Sequence, residues 1–506
     1  MLGAFLLSGC ANTAAGNAGS TEAAAEATEK TERAKANEAV IGIAQDFDSL
    51  DPHHMTAAGT KEILFNVYEG LMKPNAAGEI VPAVASDYEK SEDGKTYTFT
   101  LREGVLFHNG EAVTAEDVVY SINRRRDGQD AAAQLDALSI IEDVKGEGNT
   151  ITVTLTEGSN EFLAHLMNAY IIPEGYNELE TKPVGTGPYK FVSRAVQDEM
   201  VLEKFEEYWG EGGSLAKVTF KVLENAEGLI LGLQSGALDL VAHMSSDQTV
   251  QLNEKDFTIE EGSMNLVQAL YLNNAEKPFD DIRVRQALCY AIDKQAVIDL
   301  AFDGYGTPLG TSMFPSFGKY YDESLTDYYT QDIAKAKELL AEAGYPDGFS
   351  MTITVPSNYT PHVNTATVLV ELLREAGITA TVEPVDWGTW LEEVYGNRKF
   401  QSTITGLTSD NMTARKLLER FGSEVSNNFT NYNNADYDAL LKEALAETDD
   451  EKQTQLYKEL EKNLTENAAN VYLQDMADLV AVRNGLSGLS FYPIYVLDVS
   501  SLHWAE

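Results

Sequence analysis

Met351-Thr-Ile-Thr-Val-Pro-Ser-Asn-Tyr-Thr-Pro-His-Val-Asn-Thr-Ala-Thr-Val-Leu-Val-Glu-Leu-Leu-Arg-Glu-Ala-Gly-Ile-Thr-Ala-Thr-Val-Glu-Pro-Val385 changes period twice. Residues 351–355 read as a β-strand, 365–376 as a helix that stops at Gly377, and 378–385 as a second strand. Strand, helix and strand in that order form a βαβ-like unit, which puts the chain in the α/β class. The flanks agree. Residues 332–343 form an amphipathic helix closed by Gly344 and followed by Pro346, and 282–291 an apolar helix carrying Cys289. Residues 449–467 form a long helix with a polar face. Nearer the start, 40–44 is a first strand running into a turn-rich loop that ends at Pro52. Helical spacing then follows over 60–72 through Ile63, Leu64, Val67, Tyr68 and Leu71. Residues 96–101, 150–155 and 218–223 alternate as strands. Residues 115–123 are helical, with Thr114 as N-cap and Asp117 placed for a capping box. No short internal repeat is present.

The chain has 506 residues, enough for roughly three domains at about 150 residues each. Hydrophobic residues make up 43% and charged residues 23%, ordinary for a chain folded around a core. With 37 Lys+Arg against 80 Asp+Glu the formal charge is −43, which excludes a broad nucleic-acid binder and disfavours a polybasic lipid contact. No apolar run approaches the roughly 20 residues that span a bilayer. Two cysteines exclude a disulfide scaffold and a Cys-rich metal centre.

Residues 1–10 read Met1-Leu-Gly-Ala-Phe-Leu-Leu-Ser-Gly-Cys10. The apolar stretch ending in small residues before a cysteine looks like the end of a bacterial lipoprotein signal, with Leu7-Ser8-Gly9-Cys10 as lipobox. The expectation is a lipid anchor on the Cys10 thiol, since two acyl chains hold where one does not. Residues 11–38 contain no aromatic and no Leu, Ile or Val, so they read as a flexible tether.

Several longer strings belong together. They are Asp51-Pro52, Tyr68-Glu-Gly-Leu71, the run from Ser91 to Val118 that includes Gly-Lys-Thr-Tyr-Thr-Phe-Thr-Leu-Arg-Glu-Gly-Val-Leu-Phe-His108, and Pro183-Val-Gly-Thr-Gly-Pro-Tyr189. Tyr208-Trp-Gly210, Leu233-Gln-Ser-Gly236 with Asp239, the run from Phe279 to Asp293 and the run from Ala334 to Gly348 complete the set. On these strings the chain, over about 38–506, resembles the extracellular solute-binding proteins of family 5, the peptide/nickel group that serves ABC importers. The resemblance implies a periplasmic-binding-protein-like two-lobe fold (class II) with an additional domain on the first lobe. The expected first lobe is 39–74 with 186–275 and 482–506, the additional domain 75–185, and the second lobe 276–481. It implies a solute enclosed by hinge closure and handed to an ABC permease and ATPase complex. The expected protein is a monomer outside the cytoplasm, bound to the membrane through its lipid anchor only, with no cofactor, metal or nucleic-acid partner.

The resemblance also implies site residues. In peptide binders of the family an Asp in a Gly-Trp-x-x-Asp string takes the ligand's α-ammonium, and the matching string here is Gly406-Leu-Thr-Ser-Asp410. Asp410 is the expected ammonium partner, because a buried cation needs a paired carboxylate. Leu407 stands where an aromatic is usual, and Thr408 follows it. Trp387 matches a pocket aromatic, with Trp390 three residues on as a second wall. Gln45, Asp46 and Phe47 are expected to offer backbone hydrogen bonds, and Tyr359 and His362 to make ligand contacts. No Arg matches the one that grips the carboxylate in dipeptide binders, which favours a longer peptide. An oligosaccharide or metal chelate is the alternative solute.

Other readings are plainer. Gly185 and Gly187 lack the length and the Lys of a phosphate loop and read as a structural turn. His108 reads as a structural histidine, Arg283 and Arg285 as surface or interdomain residues, and adjacent His53 and His54 not as a metal pair. No hydrolase motif is present, and Cys289 in an apolar helix reads as an inert thiol.

Overall fold

The structure, a computed structural model, describes residues 32–129, 134–409 and 412–505. Cys10 with its lipobox, most of the expected tether and Asp410 lie outside the described residues. The last part of the stretch read as tether is tied to the folded body. The Arg33 guanidinium donates to both carboxylate oxygens of Asp239 (2.9 and 3.0 Å), and Glu38 opens the first strand. Among the described residues no helix is long and apolar enough to cross a membrane.

An eleven-stranded mixed sheet of the described residues runs through both halves of the molecule. Its centre is a pair of long antiparallel strands, Phe257–Leu272 and Asn470–Arg483, which cross from one half to the other. On one side Leu240–Met244, Glu38–Ile43 and Lys217–Val222 lie parallel, continued by Glu199–Lys204 and Tyr189–Ala195. On the other, Ser402–Leu407, Ser350–Pro356 and Thr379–Val385 lie parallel. The predicted βαβ unit is therefore there, its strands in register from Ser350↔Thr379 to Pro356↔Val385, although the helix, Thr360–Glu375, starts five residues before the predicted 365, with Pro361 in its first turn.

Side-chain alternation sets the cores. Along the end of the first crossing strand, Leu270 and Leu272 enter one apolar cluster while Val267, Ala269 and Tyr271 enter another. Both faces are covered, so this segment reads as an apolar run rather than an alternation. In Thr96–Leu101 only one face is covered. Tyr97, Phe99 and Leu101 point into the core of a separate four-stranded antiparallel sheet, and the threonines point away from it. The helix Ala115–Asp127 closes over that sheet with Val118 and Ile122. It starts with the expected capping box, Thr114 N–H donating to Asp117 (2.9 Å) and Asp117 N–H to Thr114 Oγ1 (3.3 Å).

The helix predicted over 60–72 is shorter, Ala58–Leu64, followed by turns and the short strand Met72–Pro74. The carbonyls of Asn66 and Val67 accept the N–H groups of Tyr189 and Gly187 (3.0 Å each) instead of continuing a helix. The same contact explains the glycines of Pro183-Val-Gly-Thr-Gly-Pro-Tyr189. A Cβ at Gly187 would sit 2.5 Å from the Asn66 oxygen, and one at Gly185 would collide with the Val67 carbonyl. His108 seals this turn by accepting from Gly185 N–H (3.3 Å) at Nδ1 and donating to the Gly187 carbonyl (2.9 Å) from Nε2. Arg285, expected as a surface or interdomain residue, is instead buried and structural, because its guanidinium donates to the carbonyls of Phe279, Asn467 and Ala468. Cys289 is buried, and burial pushes its thiol up to about 12.

Candidate functional site

A cleft of about 1480 Å³ opens between the halves. One wall carries Lys61 and Phe65, from the helix Ala58–Leu64 and its end, together with Tyr492 and Tyr495 of the C-terminal segment. The floor is the middle of the first crossing strand, Met264 to Leu266, next to Thr408 and Ser409. Thr408 follows the parallel strand Ser402–Leu407 directly, so the floor meets the carboxyl end of a parallel sheet, where α/β folds place their ligands.

The floor is a β-bulge. Pairing of the crossing strands shifts between Ser263 and Val267, and Asn265 takes φ +55° there. Asn265 joins three segments. Its amide donates to the Tyr492 carbonyl (2.7 Å), its carbonyl accepts from Thr408 Oγ1 (2.9 Å), and its side-chain oxygen accepts from Ser316. Across the bulge, buried Asp475 accepts from Leu266 N–H (2.9 Å) and from the Ser263 hydroxyl. Burial lifts its carboxyl to about 7, against the hydrogen bonds from Ser263, Leu266 and Asn265. Gly406 is required beside the floor, since a Cβ there would collide with the Leu266 side chain.

A charged cluster backs the wall. His243 donates to Glu62 (2.8 Å) from Nε2 and to Asp478 (2.9 Å) from Nδ1. Burial pulls this imidazolium down, but the two carboxylates outweigh it and raise the ring to about 10. The mouth is bridged directly between the four-stranded region and the second half. Asn160 donates to the Glu447 carbonyl (3.3 Å), Lys90 to that of Thr448 (3.3 Å), and Tyr457 to buried Glu161 (3.0 Å). Burial raises Glu161 to about 7.

These groups set an expected pH profile. His53 (about 3), His108 and His362 (about 4 each) fall below the ordinary 6.5 chiefly because burial disfavours their charged form. The unfolded chain protonates them first, so stability is lost as pH falls from about 6.5. Glu161 and Asp475 keep their protons to about 7, so their contribution is lost as pH rises from their ordinary values near 4 through 7. The His243 contribution is complete below 6.5 and is lost as pH rises through about 10. Three histidines outweigh two acids on the acid side, at ~1.4 kcal/mol per proton per pH unit. The thermal midpoint of the ligand-free protein should therefore peak near pH 6.5 and decline on both sides. Calorimetry showing a steady rise to pH 9 would contradict this balance.

Of the residues expected at the site, Thr408 lines the cleft, and Ser409, which precedes Asp410, lines it too. Leu407 is buried in the core of the second half. Trp390 is 4% exposed, stacks on Trp387 (5.1 Å, 4°) and donates its indole N–H to Thr403 (3.0 Å). Trp387 is 38% exposed and meets Tyr359 edge-on (5.3 Å). These three rings gather beyond the ends of the strands Ser350–Pro356 and Thr379–Val385 and are not among the residues lining the cleft. His362 is buried, its Nδ1 accepting from Gln268 (2.9 Å), which in turn accepts from Thr365 and Gln474. Gln45 is exposed and Phe47 buried. The Asp46 carboxylate is taken up by Arg194 (2.9 Å) and the N–H groups of Phe47 and Gln197 (2.8 Å each), which hold it below the carboxylate range although burial works against them. The loop 45–47 does not line the cleft either.

Met264, Asn265, Tyr492 and Tyr495 line the cleft without being among the residues expected from the sequence. The aromatic run Phe491-Tyr-Pro-Ile-Tyr495, which has neither strand nor helix period, was the available signal. Among the described residues Asp51, His54 and Glu180 come within metal-binding reach of one another. Asp51 is held by two bonds from Arg124 (2.7 and 3.0 Å), and Glu180 accepts from Ser49 and Leu50, so their oxygens already serve protein donors.

The family description "Bacterial extracellular solute-binding proteins, family 5 Middle" matches residues 79–429. The glutathione-binding protein GsiB of Pectobacterium atrosepticum is 29% identical over 481 residues, covering 90% of this chain and 92% of that protein. Heme-binding protein A of Haemophilus influenzae is 30% identical over 440 residues, covering 78% of each. Among solved structures, the periplasmic binding protein DppA of Helicobacter pylori in complex with peptide STSA superposes with a TM-score of 0.70 at 26% identity, covering 93% of this chain and 98% of that one.

Proposed function

Because the chain belongs to the bacterial extracellular solute-binding proteins of family 5, we propose that it is the receptor of an ABC importer and captures an oligopeptide-type solute in the interlobe cleft. The observation that carries the peptide reading is the size of the cleft. About 1480 Å³ exceeds the ~300–1,000 Å³ that suffices for an ordinary small-molecule ligand and leaves room for several residues of extended peptide. The relatives named for glutathione and bound to peptide STSA support the same class of solute.

In this reading 39–74, 186–275 and 482–506 form the first lobe, 75–185 the additional domain and 276–481 the second lobe. The lobes close on the solute by bending the two crossing strands, and a monomer in the closed form docks on the permease. Micromolar affinity needs only ~8 kcal/mol in total, so a few water-excluded contacts are enough to bias closure. Asp410 takes the peptide ammonium, with Thr408 lining the cleft two residues before it. Cys10 carries the lipid that keeps the receptor outside the cytoplasm at the membrane. The solute leaves chemically unchanged.

Native mass spectrometry of the purified protein, followed by calorimetry with peptides of two to six residues, tests the reading. A copurifying peptide, and tighter binding of peptides longer than two residues, are expected. Recovery of a sugar or chelate with no peptide binding would overturn it.

A further inference from the structure

Two large apolar residues stand unusually open within the cleft, Tyr495 at 42% and Met264 at 39% exposed. Their neighbours are ordered by a common frame. Phe65 and Tyr492 meet edge to face at 5.5 Å. The Tyr492 hydroxyl donates to Asp498 (2.7 Å), and its carbonyl accepts from Asn265, the residue after Met264. Phe65 lies three residues after Glu62, hence on the same side of the helix end. Glu62 and Asp478 grip His243 from either side, and the His243 ring lies flat on Tyr495 at 4.4 Å and 14°. One face of Tyr495 is thus covered by a ring that two hydrogen bonds hold in place. The exposure that remains belongs to the cleft.

We propose that Tyr495, Tyr492, Phe65 and Met264 form a subsite for one apolar or aromatic side chain of the bound solute, and that His243 is a positioning residue that fixes the Tyr495 ring. The inference rests on the peptide reading of the cleft and adds to it a side-chain preference. Peptide backbone contacts tolerate any sequence, whereas a fixed aromatic wall in the same cleft as an open thioether rewards a side chain that displaces water from them. The His243 clamp lowers the cost of binding, because the ring needs no ordering when the solute arrives.

Calorimetry with an all-alanine pentapeptide, and with the five peptides in which one alanine becomes phenylalanine, tests the proposal on the wild type and on Tyr495→Ala, Met264→Ala and His243→Gln. In the wild type one Phe position should bind roughly tenfold tighter than the all-alanine peptide. Tyr495→Ala should reduce that ratio to below about twofold, with Met264→Ala and His243→Gln in between, whatever each variant does to the affinity common to all six peptides. A thermal transition near that of the wild type certifies the fold of each variant, and because the ratio is taken within one variant, any change common to all six peptides cancels. A wild type that binds the peptides with no Phe preference, or a preference intact in Tyr495→Ala, overturns the subsite and leaves the peptide reading standing. A wild type that binds none of the peptides overturns both.

Discussion

Asp239→Ala should destabilise the protein by about 3–5 kcal/mol, the cost of stranding buried charge. The Asp239 side chain is fully buried and accepts from Arg483 Nε (3.0 Å), from Arg33 (2.9 and 3.0 Å) and from the Val40 N–H (3.0 Å). Arg483 sits at the end of the second crossing strand and also donates to the carbonyls of Leu233 and Leu238, and Val40 lies in the first strand. One carboxylate therefore pairs with two guanidinium groups and ties the N-terminal segment, the first strand and the crossing strand together. Alanine would leave Arg483 buried without its counter-charge, a loss no rearranged water can make good. A large fall in the thermal midpoint and in the urea midpoint is expected. Arg33→Met, which removes the less buried partner and leaves the Arg483 pair intact, should cost less. A variant as stable as the parent would show that the hub is not what joins these segments.

Asp410→Asn should weaken binding of a free-amine oligopeptide a hundredfold or more, since an ammonium enclosed without a counter-charge costs about 3 kcal/mol or above. Asparagine keeps the shape and removes only the charge. The thermal transition of the ligand-free protein should stay nearly where it was. N-acetylation of the peptide provides a second arm. The acetylated peptide should bind the wild type as poorly as the free peptide binds the variant, and acetylation should make little further difference in the variant. Equal affinity of wild type and variant for the free peptide would show that this carboxylate does not hold the ammonium.

Legibility followed the locality of the forces. Thr96–Leu101, Thr150–Leu155 and Ile282–Ala291 were readable to the residue because alternation, turn residues and the Asp281 cap act within a few positions. The helix expected over 60–72 ends early although hydrophobic spacing continues, because Tyr189 and Gly187, over 100 residues away, claim the carbonyls of 66 and 67. At the site, Thr408 was reached through a motif. Met264 and Tyr495 were not, because nothing local marks a methionine in a strand or a tyrosine in an irregular tail as facing a cleft.

The α/β class, the bounds of locally marked elements such as 96–101 and 282–291, and the family resemblance followed from the sequence alone, because propensity, periodicity and caps are properties of neighbours along the chain. The tertiary structure decided where the cleft lies and what faces it. A bulge at 263–267 turns Met264 and Asn265 to its floor, and His243, Glu62 and Asp478, drawn from three distant segments, set the wall behind Tyr495. Pairing strengths of that kind depend on distance in space and on exclusion of water, and neither quantity exists until the chain has folded.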